Sequence, residues 1–215
     1  SKSRGNVINP DEMVEQFGTD AFRLYIMFMG PFDQAVMWDT NGLVGVRRFL
    51  DRVWNLQEKI GDRKDSPEIV SQLHQTIKKV TEDIEAMRFN TAIAKMMELL
   101  NELSKRETIS KQTFTTLVQL LSPFAPHIAE ELWEKYGHGK DLAYSAWPKY
   151  DASLAKTATV TLAVQINGKV RDTMEADSEI TEAAVKDLVL GSEKVQKWLE
   201  GKEPKKIIYI KGKLV

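Results

Sequence analysis

The chain has no cysteine, which excludes disulfides and thiolate metal sites and removes one common sign of secretion. Histidine is scarce: His74, His127 and His138 are the only three, and they lack the spacing of metal ligands, so no metal site is expected. No apolar run approaches the roughly 20 residues of a transmembrane helix, and no signal-peptide pattern opens the sequence, so a cytoplasmic protein without a membrane partner is expected. An excess of charge of one sign is missing as well. Lys and Arg number 30 against 31 Asp and Glu, a formal −1, so an argument for nucleic acid has to come from local asymmetry. What is present is an ordinary composition, 42% hydrophobic and 28% charged over 215 residues, enough for one sizeable core or two smaller ones.

The first ten residues form a polar, glycine-bearing loop. Ser1, Lys2 and Ser3, with Gly5 and Asn6, supply an ammonium, two hydroxyls and flexible backbone N–H groups, the parts that grip phosphate oxygens. Taken alone, such a triplet is more commonly a solvated terminus. Helix signals follow at once: Asn9 as cap, Pro10 in the first turn with Asp11 and Glu12, and Gly18 as stop. Thr19 or Asp20 caps a second helix with Phe22, Tyr25, Ile26 and Met29 on one face, ended by Gly30-Pro31. Residues 31–40 read as an irregular crossing.

From about residue 41 the three-four alternation of apolar residues becomes continuous. Val46, Phe49, Val53, Leu56 and Ile60 mark one helix. Val70, Leu73, Ile77, Val80, Ile84 and Met87 mark the next, opened by Ser66-Pro67. Ile93, Met96, Leu100 and Leu103 mark a third, and Phe114, Leu117, Val118 and Leu121 a fourth. Pro126 starts a last one with Ile128, Leu132, Trp133 and Tyr136. Short connections predict an antiparallel, up-and-down bundle. Trp54, Trp133 and Tyr136 are expected in its core, His127 as a hydrogen-bonded structural residue, and Glu130-Glu131 on a solvated face.

After a linker the period changes to two. Val160, Leu162, Val164 and Ile166 alternate with polar or small residues, Asn167-Gly168 supplies a type I′ turn, and Lys169 to Glu175 returns. Helices over about 181–190 and 192–199 and a third strand over 206–210 complete a β-β-α-α-β domain. In that strand Lys206, Ile208 and Ile210 are expected to face the core, and Lys205, Ile207, Tyr209 and Lys211 to face away. The predicted class is therefore mainly α with a small α+β domain, divided into 1–40, 41–154 and 155–215. From Lys194 onward seven lysines stand against Glu200 and Glu203, a local +5. Lysines at a sheet edge also discourage aggregation, so the charge has two readings; the phosphate-binding candidates are Lys169, Arg171, Lys205, Lys206, Lys211 and Lys213.

Three stretches carry a resemblance. SKSRGNVINPDEMVEQFGTDAFRLYIMFMGP resembles class I aminoacyl-tRNA synthetases from within their KMSKS loop onward, without the Lys-Met that opens that motif. LLSPFAPHIAEELWEKYG is similar to the anticodon-binding helical bundle of the synthetases for large aliphatic amino acids. NGKVRD and KKIIYIKGKLV resemble the carboxy-terminal domain of bacterial-type leucyl-tRNA synthetases, which the valyl and isoleucyl enzymes do not share. The resemblance implies a C-terminal part of an ATP-dependent, AMP-forming ligase that joins leucine to tRNA(Leu). Residues 1–40 would then end the catalytic domain.

It further implies that Lys2 is the catalytic residue that meets the departing pyrophosphate, within an ATP-binding loop of Ser1, Lys2 and Ser3. ATP, with magnesium in the whole enzyme, would be its cofactor. The partners implied are tRNA(Leu) and the N-terminal catalytic and editing portions, without which the chain is expected to be inactive. The helical bundle would contact the tRNA body, and the terminal domain the corner of the L-shaped tRNA. A non-catalytic RNA-binding module built from the same two domains is the alternative. A helical protein-interaction scaffold is a third reading, which leaves Lys2 and the basic end unexplained.

Overall fold

A computed structural model describes residues 7–31, 33–137, 141–155, 159–177, 180–199, 202, 204, 206–210 and 212–215. The chain divides into two compact units, 1–155 and 156–215.

In the first unit side-chain caps open α1, α3 and α6, and proline stands in the first turn of α1, α4 and α7. The Asn9 side chain accepts from the Asp11 N–H and opens α1 (Pro10–Phe17); Gly18, at a φ of 89°, links it to α2 (Thr19–Phe28). Asp39 caps α3 (Thr40–Leu56), which a short 3-10 turn and the two-residue strand β1 (Ile60–Gly61) follow. Next come α4 (Pro67–Glu85), α5 (Phe89–Ser104), β2 (Ile109–Ser110), α6 (Lys111–Leu121) and α7 (Pro126–Lys135). The strands β1 and β2 pair in parallel, Ile60 with Ile109, and tie the α3–α4 and α5–α6 connections together. Asp65 seals that junction by accepting from the Ser110 N–H and from the hydroxyls of Ser110 and Thr113.

One core serves the whole unit. Met13, Leu24 and Tyr25 from the first two helices join Val46, Phe49, Val53, Ile77, Val80, Met96, Leu100, Phe114, Leu117 and Leu132. Burying such side chains contributes about 1.5–3 kcal/mol each, which is what holds short helices in place.

The structure corrects four expectations here. The inward face of α2 is Asp20, Ala21, Leu24 and Tyr25, and Ile26 is exposed, because Asp20 turns inward to meet α7. Ile60 lies beyond the end of α3, in β1. Met87 does not continue α4: it takes a φ of 57°, stands exposed, and begins the turn into α5. Trp54 is not core. It neighbours Val53 by a 100° step of the helix and points partly to solvent.

The second unit is built on the hairpin β3 (Thr159–Ile166) and β4 (Lys169–Asp177). Asn167 and Gly168 both have positive φ, 52° and 77°, as a type I′ turn requires. The helices α8 (Glu182–Leu190) and α9 (Glu193–Leu199) follow. Leu162, Val164, Ala176, Val185, Val189, Val195 and Val215 form the core.

The expected third strand is corrected as well. Residues 206–209 form no ladder; the chain turns at Gly212, and its last residues run parallel to β3, where the Ala163 N–H donates to the Lys213 carbonyl and the Val215 N–H to that of Ala163. The faces are inverted relative to expectation: Ile207 and Tyr209 pack on the core, while Lys206, Ile208 and Ile210 are exposed.

Candidate nucleic-acid interface

The second unit carries most of the sequence-predicted basic residues that the structure describes. Lys169 leaves the hairpin turn exposed, and Lys206 and Lys213 are exposed at the other end of the segment. Lys205 and Lys211 lie outside the described residues, as do Ser1, Lys2 and Ser3.

Arg171 is placed differently from the lysines. The ladder pairs Val164 with Asp172 and Gln165 with Val170, so Arg171 is the extra residue of a β-bulge. Its guanidinium carbon lies 3.7 Å from the centroid of the Trp198 ring on α9. Next to it, the mostly buried Asp172 accepts from Lys194 Nζ and Ser192 Oγ. The Lys194 bond, with the Thr173 N–H and the Ser192 hydroxyl, holds the Asp172 carboxyl below the usual carboxylate range despite its desolvation. That bond ties α9 to β4 and so fixes where Trp198 stands.

In the first unit a cation-aromatic cluster joins the ends of α3 and α7 to the start of α6. Lys135 Nζ sits 5.4 Å over the Trp54 ring and bonds the Gln57 side chain, and Lys111 Nζ sits 5.9 Å over Tyr136. Lys59 is spent internally, donating to the carbonyls of Ser104 (2.6 Å), the last residue of α5, and of Arg106 (2.8 Å) beyond it. The reading of the sequence missed this cluster. The signal available was Lys135 in the last turn of α7, beside the aromatic Tyr136.

Beside it lies a cleft of about 450 Å³ between the starts of α2 and α7 and the middle of α3. Asp20 organises it: one carboxylate oxygen accepts from the Ile128 N–H at 2.7 Å, and the other lies 2.7 Å from His127 Nδ1. Arg47 lines it, donating from Nε to Asp51 and from Nη1 to the Phe17 carbonyl. Glu130, expected to be merely solvated, accepts from the N–H groups of Leu142 and Ala143 and anchors the 3-10 turn that follows α7. No nucleophile-base-acid set stands in this cleft, and among the described residues no group of three histidines or carboxylates is placed to hold a metal. Nor is any helix among them long and apolar enough to cross a membrane. What the two units offer is exposed cations beside flat aromatic surface, the chemistry of phosphate and base contact.

Comparison with known proteins agrees with that character. Over its full length the chain is 47% identical to a leucine–tRNA ligase of Chlorobaculum tepidum and 46% identical to one of Chlorobaculum parvum, and spans 28% of each relative's length. A LeuRS of Agrobacterium radiobacter K84, crystallised in a ternary complex with tRNA and LeuAMS, matches the whole chain with a TM-score of 0.82 at 32% identity; the chain covers 30% of it. Residues 67–186, more than half of the sequence, match the family model of the anticodon-binding domain of tRNA ligases, and the chain belongs to that family.

Proposed function

We propose that this chain is the C-terminal part of a leucine–tRNA ligase, the part that holds tRNA(Leu) while the rest of the enzyme activates leucine with ATP. The observation that carries the reading is full-length similarity, across both units, to leucine–tRNA ligases of which the chain spans 28%. Exposed Lys169, Lys206 and Lys213 support phosphate contact by the second unit, with Lys205 and Lys211 completing the set. The helical unit, with Lys111 and Lys135 beside Tyr136 and Trp54, rests against the tRNA body.

Ser1, Lys2 and Ser3 belong to the ATP-binding loop. Displacement at the α-phosphate builds negative charge on the leaving pyrophosphate, and the Lys2 ammonium stabilises that charge more than it stabilises bound ATP. The enzyme works in the cytoplasm, with magnesium accompanying its ATP.

Two measurements test this. The 215-residue chain alone shows no leucine-dependent pyrophosphate exchange and still binds tRNA(Leu); exchange by the chain alone contradicts the reading. In the full-length enzyme, Lys2→Ala lowers activation by roughly 2–4 kcal/mol while tRNA affinity stays nearly unchanged. Loss of tRNA binding with activation intact assigns Lys2 the wrong role.

A further inference from the structure

We propose that Arg171 and Trp198 form a stacking seat for one unstacked nucleobase of the bound RNA, and that Arg171 is not a phosphate contact. The proposal rests on the reading of the second unit as a tRNA-binding surface and adds to it how one part of that surface recognises its partner.

Four observations carry it. The guanidinium lies over the indole at 3.7 Å, a stacking separation, whereas cation–π contacts extend to about 6 Å. Arg171 Nε is turned inward, buried, with no hydrogen-bond partner among the described residues. A side-on fork onto a phosphate uses Nε, which is withdrawn here, while the guanidinium carbon sits over the ring. Trp198 is 51% exposed although Val195, on the same face of the same helix, is buried in the core; tryptophan is costly to leave in water without a partner surface. Finally, the bulge that makes Arg171 the unpaired residue of β4 is a local departure from the ladder that re-aims this one side chain.

Exposed Lys169 and Lys197 flank the pair in sequence. Under this proposal they are the candidates to meet the phosphates on either side of a splayed base. A base stacked on an arginine-aromatic platform is recognised by its flat face, so the seat accepts any base that a tRNA loop leaves unstacked and excludes paired, stacked stems.

The test is equilibrium binding of a tRNA(Leu) transcript to the full-length enzyme across a salt series. Trp198→Leu and Arg171→Lys each weaken binding about 5- to 150-fold, the worth of one stacked base, with the slope of log affinity against log salt unchanged. Trp198→Phe, which keeps a ring, retains most of the affinity. With loop nucleotides made abasic one at a time, one position abolishes the difference between Trp198→Leu and the unmodified enzyme. If Trp198→Leu unfolds the second unit, Arg171→Lys decides by itself, since it removes the plane and keeps the charge.

Unmodified affinity in Arg171→Lys overturns the proposal. So does a slope reduced by about one unit in Arg171→Gln with Trp198→Leu binding normally, which makes Arg171 a phosphate contact. Tight, lysine-dependent binding that is indifferent to both residues removes the seat and leaves the functional reading standing; absence of tRNA(Leu) binding by the unmodified enzyme removes both.

Discussion

The carboxylate of Asp20, in the first turn of α2, accepts from the Ile128 N–H at the start of α7 at 2.7 Å and meets the His127 ring at the same distance. A residue near the start of the chain thus supplies the cap that α7 lacks locally, where Ala125 in the cap position offers no side-chain acceptor.

Asp20→Ala therefore leaves the Ile128 N–H without its acceptor and lowers stability by about 1–3 kcal/mol. Asp20→Asn, which keeps one acceptor oxygen, loses less. Thermal unfolding of the three proteins checks the order. Equal melting temperatures for Asp20→Ala and the unmodified chain show that α7 does not depend on this cap.

Asp83 gives a pH prediction. Its side chain is fully buried at the end of α4, and its oxygens accept from Lys79, Arg88 and Thr91. Burial raises its carboxyl's pKa, but the Lys79, Thr91 and Arg88 bonds outweigh that and hold it below the usual value. A folded value below the unfolded one means that the group's contribution is complete above about pH 4 and is lost as pH falls through the folded value. Asp83→Asn destabilises at neutral pH by about 1–3 kcal/mol, the cost of weakening charge-assisted hydrogen bonds to a buried group whose cationic partners are half exposed. Denaturant unfolding from pH 7 to 2 checks this: the gap between variant and parent narrows in acid. A gap independent of pH contradicts the assignment.

How much of this was legible in the sequence depends on whether a pattern had one parity. The stripes of α3 and α5, and the Asn167-Gly168 turn, had it, and their apolar positions lie in the cores. The run Ile207-Ile208-Tyr209-Ile210 is apolar at every step, so alternation could not choose a face, and the Gly212 turn that returns the chain along β3 decided it. Trp54, expected in the core as an aromatic at a helical position, falls beside the stripe that runs through Val53 and Leu56. Glu130 reads as a surface carboxylate and Asp20 as a cap of its own helix, because the N–H groups that they satisfy lie more than ten residues away; Asp83 meets Arg88 and Thr91 only across the turn after α4.

Autonomy of the units is the next expectation. Cleaving the chain after Ala155 leaves a first unit that stays helical and unfolds cooperatively, because its core residues lie between Met13 and Trp147. The remaining sixty or so residues are marginally stable, as domains of about 60 residues commonly are. Circular dichroism of the separated pieces checks this; loss of the first unit's cooperative transition on cleavage contradicts it.

The most direct test of the role in tRNA binding is the salt dependence of tRNA(Leu) affinity for the full-length enzyme with Lys205, Lys206, Lys211 and Lys213 replaced by alanine. Each lysine that neutralises a phosphate releases a condensed counterion, so four lost contacts reduce the log–log slope by up to about 3–4 units. The expected result is weaker binding with a flattened slope, while the helical unit keeps its melting transition. Superimposable lines for the variant and the unmodified enzyme would contradict it, leaving these lysines only the task of keeping a sheet edge soluble.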